Sequence, residues 1–148
     1  MFIDKEILDA LSEEARKSPR LRMGKDMRTS AADQSQRMLN AMEPGTEVAI
    51  HRHTKTTETV AVIRGKVRQK YYDEKGQLVR EDVIEAGGAC PFYMVPKGMW
   101  HTTECIESGT IIFDCKDGVY EPLAAEDIFQ NDYRGDFFAV FIAVWFVW

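Results

Sequence analysis

The apolar positions change period once along the chain. At the start, Ile3, Ile7, Leu8, Leu11 and Ala15 fall on one stripe at helical spacing. Asp4 is placed to cap the first turn, with Ile3 and Leu8 set as a hydrophobic staple across it. Ser18-Pro19 stops this helix, because the residue before a proline avoids the helical region. Packing of the stripe against the rest of the chain is a simpler role for it than docking a partner. Beyond Pro19 the pattern becomes short alternating runs separated by turn residues. Strands are expected at residues 21–28, 36–42, 47–52, 58–64, 66–73, 78–84, 92–95, 100–105 and 110–115. The runs 66–73 and 78–84 form a hairpin about Glu74-Lys75-Gly76-Gln77, where Gly76 can take positive φ.

About ten short strands and one helix predict an all-β fold, a double-sheet jelly roll or double-stranded β-helix with an N-terminal α-helix. Within a single domain, residues 1–20 are the helix packed on the barrel, 21–122 the barrel and 123–148 a C-terminal extension. A chain of 148 residues suffices for one buried core.

Charge and cysteine usage narrow the partners. A formal charge of −5 leaves no basic footprint, which argues against nucleic acid. Cys90, Cys105 and Cys115 form neither a paired framework nor a C-x-x-C, as suits a reducing compartment. Acidic residues interrupt any apolar run directly after Met1, so no signal peptide is read and the expected location is cytoplasmic.

Candidate chemistry concentrates in two segments. The first runs from Gly45 through His51, His53 and Glu58 to Gly65; the second is Pro96-Lys97-Gly98-Met99-Trp100-His101. The chain has three histidines, and all of them lie here. In a strand, His51 and His53 point to the same face. Four residues later a loop delivers Glu58 to the next strand, and His101 arrives from a distant one. An isolated histidine is most often a surface or hydrogen-bonded core residue. The conjunction of pair, carboxylate, framing glycines and a proline-led third histidine favours one divalent cation held by His51, His53, Glu58 and His101, with open positions for a ligand. Iron, manganese, nickel, cobalt and zinc all suit this donor set.

Further residues are candidates for ligand contact. Asn40 shares a strand face with Met38 and Met42; buried there, it needs a partner, either the backbone or a ligand. Arg22 is the first choice for an arginine fork at the pocket mouth. Tyr93 and Lys97 lie near the second segment. Cys105 shares the His101 face, where it is either a small apolar filler or a thiol near the metal. No catalytic residue is assigned: there is no fourth histidine, and Glu104 falls on the opposite parity from His101.

These residues resemble the cupins. The first cupin motif, G-x5-H-x-H-x3,4-E-x6-G, matches at every position from Gly45 to Gly65. The second matches at Pro96, Gly98 and His101, with Cys90 and Cys105 standing where its opening glycine and closing asparagine would be. Over roughly residues 3–122, runs such as Ser18-Pro19-Arg20-Leu21-Arg22-Met23 and Lys116-Asp117-Gly118-Val119-Tyr120-Glu121-Pro122 are similar to the WbuC-type cupin metalloproteins. That resemblance implies a metal-binding cupin acting on or binding a small polar molecule, such as a sugar or sugar nucleotide, in bacterial surface-polysaccharide (lipopolysaccharide/O-antigen) biosynthesis. A catalyst of this kind would be a metal-dependent isomerase or epimerase, a lyase or an iron(II) dioxygenase. The competing class is a non-enzymatic module whose metal anchors a small ligand for sensing.

The C-terminal stretch Phe137 to Trp148 is twelve residues without a charge. It falls short of the roughly 20 residues that a spanning helix needs. A strand buried in a homodimer interface is the mildest reading, and interfacial membrane association the second; an exposed edge of this kind would aggregate.

Overall fold

A computed structural model describes residues 2–130. The apolar stretch Phe137 to Trp148, with the dimer and membrane readings attached to it, lies outside the described residues.

The helical stripe becomes α1 (Lys5–Lys17). Its start is fixed by Asp4, whose Oδ1 accepts the Ile7 N–H at 3.1 Å, and its end by Ser18 in extended conformation. Eight strands follow among the described residues: β1 (Arg22–Asp26), β2 (Ser35–Met42), β3 (Glu58–Arg64), β4 (Lys66–Tyr72), β5 (Leu78–Glu85), β6 (Phe92–Val95), β7 (Trp100–Cys105) and β8 (Thr110–Asp117). They form a five-stranded sheet ordered β1-β2-β8-β3-β6 and a three-stranded sheet ordered β5-β4-β7, antiparallel throughout. Two antiparallel sheets enclosing one core, with a helix outside, make this the cupin jelly roll.

One expected strand is absent. Residues 47–52 form no strand; His51 alone makes a backbone bridge, to His101 on one side and to Ile128 on the other. Side chains take the carbonyls beside this bridge: His51 Nδ1 lies 2.9 Å from Ala49 O, the acceptor that the next rung with β7 would use, and Thr102 Oγ1 donates to the Val48 carbonyl. The histidine pair is therefore carried by an irregular segment pinned at a single residue.

Two apolar clusters hold the fold. Between the sheets, Met42, Val60, Val62, Val67, Ile84, Cys105 and Ile112 are buried together. On the outer face of the larger sheet, Leu11 and Ala15 of α1 bury Leu39, Ala41 and Ile111. The alternation of each strand thus serves both clusters: Leu39 and Ala41 face the helix, Met42 and Asn40 the interior. Each fully buried side chain of leucine size contributes about 1.5–3 kcal/mol, so the helix is part of the core.

The chain crosses from the large sheet to the small one at Gly65, between β3 and β4. Its φ is +76°, and a Cβ there would lie 2.8 Å from Thr110 Cα. Both the backbone angle and the space exclude a side chain. This close approach locks the β3–β4 corner, and with it the register that places Glu58 at the other end of β3.

Candidate metal centre

The two motif segments are stitched together by backbone. The His51 N–H donates to His101 O at 3.0 Å, and the His101 N–H donates to His51 O at 2.9 Å. The Pro-Lys-Gly turn closes from the other side: Gly98, at φ +81°, donates its N–H to His53 O at 2.8 Å. Residues about fifty positions apart thus share one rigid frame.

That frame aims the imidazoles. Their centroids lie 4.3 Å apart for His51 and His101, 5.0 Å for His51 and His53, and 5.5 Å for His53 and His101. His51 Nδ1 is 2.9 Å from Ala49 O, and His101 Nδ1 is 2.9 Å from Met99 O. A carbonyl can only accept, so Nδ1 carries the proton in both rings and Nε2 presents its lone pair. This is the arrangement by which metal-binding histidines are oriented. Nε2 of His51, His53 and His101 is in each case buried without a hydrogen-bond partner. One ligand atom from each residue lies within 4.8 Å of those of the other two.

Three buried lone pairs facing one another are costly unless something occupies the space between them. Protons are a poor occupant. Burial, reinforced by the neighbouring imidazoles of His101 and His53, holds His51 well below its ordinary pKa. Three imidazole nitrogens so placed can hold a divalent metal ion, and the donor chemistry fits one.

Glu58 faces the same point. Its Oε2 is 3.3 Å from His101 Nε2, and its Oε1 is 3.6 Å from His53 Nε2. Burial alone would raise this carboxyl, but the Lys116 ammonium together with the imidazoles of His101 and His53 holds it well below the usual range. Glu58 is therefore ionised, and its Oε1 accepts from Lys116 Nζ at 2.7 Å.

Lys116 and Asp114 are the residues that sequence reasoning missed. Both point inward from β8 beyond Ile112, and both are buried. Lys116 Nζ is 3.9 Å from Asp114 Oδ1, while Asp114 Oδ2 accepts from Asn40 Nδ2 at 2.9 Å. Burial pushes Asp114 up to about 7, against the pull of Lys116 and with the push of Glu58. The available signal was parity: in a strand whose inward positions begin Thr110 and Ile112, the charges at 114 and 116 share the core face.

A cavity of about 900 Å³ opens onto the site, with His53, Lys97, Asp114, Lys116 and Tyr120 among its lining. Of the other candidates, Lys97 stands at this cavity. Asn40 reaches the site through Asp114, a partner that is neither backbone nor ligand. Tyr93 is enclosed, its hydroxyl 3.2 Å from Thr103 Oγ1; burial drives its pKa far up, so it stays neutral. Arg22 is away from the cavity mouth: it is buried and donates to Glu47 O at 2.9 Å. Cys105 sits in the apolar cluster, with Sγ directed at Met42 O and Glu107 O, and burial pushes its thiol up. Glu104 faces outward, ion-paired with Lys70 and Arg68.

The fold has relatives among solved structures. An oxalate oxidase in complex with the substrate analogue glycolate superposes with a TM-score of 0.57 at 15% identity, covering 70% of this chain and 54% of its own. KdgF from Halomonas sp. gives a TM-score of 0.54 at 13% identity, covering 68% and 82%. A mutant of Bacillus subtilis oxalate decarboxylase OxdC gives 0.54 at 21%, covering 73% and 28%. The chain thus spans about half the length of the oxalate oxidase and little more than a quarter of the decarboxylase. At such identities the likeness speaks for the fold alone. No curated protein matches the sequence. A family model does match, over residues 3–84, a span that includes His51, His53 and Glu58, and by it the chain belongs to the family described as Domain of unknown function (DUF6016).

Proposed function

We propose that this protein is a metal-dependent cupin that acts on or binds a small polar molecule of the sugar or sugar-nucleotide kind, in bacterial surface-polysaccharide biosynthesis. The observation that carries the metal reading is the trio of buried, unpartnered Nε2 atoms on His51, His53 and His101. His51, His53, His101 and Glu58 would hold the ion. When bound, a divalent cation polarises an oxygen of the ligand and acidifies its hydroxyls. The chain's own residues do the rest. The backbone frame keeps the imidazoles oriented, and the cavity seats the remainder of the ligand. The sugar and the polysaccharide setting are supported by the WbuC-like runs at residues 18–23 and 116–122.

Two measurements test this reading. Elemental analysis of protein purified without added metal should find about one transition-metal ion per chain; a metal-free, folded protein that takes none up on addition refutes it. Metal-loaded protein incubated with nucleotide sugars should then yield product. Thermal stabilisation by a sugar that emerges unchanged would identify a binding module instead.

A further inference from the structure

Lys116 is an unusual companion for a candidate ligand carboxylate. β3 and β8 are registered so that Glu58 and Lys116 are direct cross-strand partners, which makes the 2.7 Å contact a product of the sheet itself. Both residues are buried, at 4% and 8% exposure. An ammonium group has three N–H donors. One is spent on Glu58, and the 3.9 Å separation from Asp114 is too long for a hydrogen bond. Lys116 holds its Nζ between the carboxyl groups of Glu58 and Asp114, the setting of an ammonium ion. It lines the cavity beside His53.

A fixed positive charge beside a cation site has two consequences. It engages one oxygen of Glu58 and leaves Oε2 facing His101 for a metal. It also repels that metal; Glu58, with Oε1 on Lys116 and Oε2 toward His101, bridges the two, and the remaining Lys116 N–H donors are left for a negative group on the cavity side. We propose that Lys116 is the anion-recognition residue of the site, and that the ligand carries a carboxylate that meets the Lys116 ammonium while its neighbouring oxygens face the histidines. This deepens, and rests on, the metal reading above. The charge around the cavity selects a monoanion over a phosphate dianion: six acidic and five basic side chains line it among the described residues, and Asp114 stands next to Lys116. With the two signs nearly balanced, the rest of the ligand is polar and uncharged. A hydroxylated monocarboxylate such as a sugar acid fits this description.

Calorimetric titration tests it on the full chain. Zinc is titrated into metal-free wild type, Lys116→Met and Lys116→Arg; acetate, glycolate and inorganic phosphate are then titrated into each loaded protein. Removing the cation takes a like charge from beside the zinc and should tighten it by about tenfold, and should weaken glycolate by a similar factor. Lys116→Arg should keep glycolate binding. Opposite signs on the two ligands are the signature, since a merely structural lysine would weaken both. Should Lys116→Met fail to fold with Glu58 left buried and unpaired, Lys116→Gln, which keeps an N–H donor for Glu58 without the charge, takes its place and is expected to show the same opposite signs. Glycolate binding undiminished in either variant overturns the proposal, as does a wild-type preference for phosphate. If wild type takes no zinc, the metal reading fails separately, and glycolate titrated into the metal-free proteins still decides whether Lys116 receives the carboxylate.

Discussion

The two ends of the barrel interior are built from the same strands and differ in what those strands turn inward. At the closed end, β2, β3, β4, β7 and β8 contribute Met42, Val62, Val67, Cys105 and Ile112. Toward the open end the same strands contribute Asn40, Glu58, Gln69, Thr103 with His101, and Asp114 with Lys116. Register staggers the change by one inward position between neighbours: Val60 lies opposite Asp114 and Asn40 opposite Ile112, before Glu58 meets Lys116. The closed end owes its stability to apolar area and close packing, which tolerate no gap. The open end is equally buried but holds charges and lone pairs, which are stable only as a connected set. A core and a site can thus share strands, provided that each strand switches polarity along its length toward the same end.

The sharpest way to break this comparison is at the histidines. Replacing His51 and His53 together by alanine should abolish bound metal, as read by elemental analysis, while the apolar end keeps the apo protein folded. Full occupancy in the double variant would mean that the open end is not a metal site. Metal should also leave in acid, because protons compete for the same Nε2 atoms near and below the reference imidazole value of about 6.5; metal content unchanged at pH 4 would contradict histidine ligation.

Next in size is the closed end. Ile112→Ala leaves a cavity beneath the site and should cost about 2–5 kcal/mol in denaturant unfolding, with metal stoichiometry intact. A loss below about 1 kcal/mol would show that the two ends are not energetically distinct.

The smallest expected effect lies at the boundary. Asp114 is pushed up to about 7 in the fold, whereas in the unfolded chain it titrates near the ordinary value of about 3.9. The folded state therefore binds the proton more tightly. The stability this contributes is fully present below about pH 4 and is lost as pH rises to about 7. Asp114→Asn removes that dependence, so the variant should gain on wild type progressively between these limits in paired unfolding curves. His51 slopes the other way in both proteins, being held neutral, so that stability falls as acid protonates the unfolded chain; the difference between the curves cancels it. A difference that does not change with pH would remove Asp114 from the buried charge set.

Much of this molecule was legible before folding. Helical and alternating periods located α1 and each of the eight strands within a few residues, since burial of one face imposes a period that survives in the letters. The grouping of His51, His53 and His101 was readable from spacing, because the donors sit in two short segments whose backbones bridge directly. The irregular path of residues 47–52 was not readable, because side chains occupy its carbonyls: the His51 ring stands at Ala49 O, and the Thr102 hydroxyl reaches Val48 O from more than fifty residues away. Arg22 gave no sign that its charge would turn inward to Glu47 O.

What the sequence alone determined was the set of local periods and the inventory of donors: which residues alternate, where turns fall, and which side chains can bind a cation. What only the tertiary structure decided was their neighbours. That Glu58 meets Lys116 and that Asn40 meets Asp114 follow from strand register, and that three imidazoles face one another follows from the His51–His101 bridge and the Gly98–His53 bond. Register is fixed by the packing of both sheets together with the Gly65–Thr110 approach, and no window of sequence contains it.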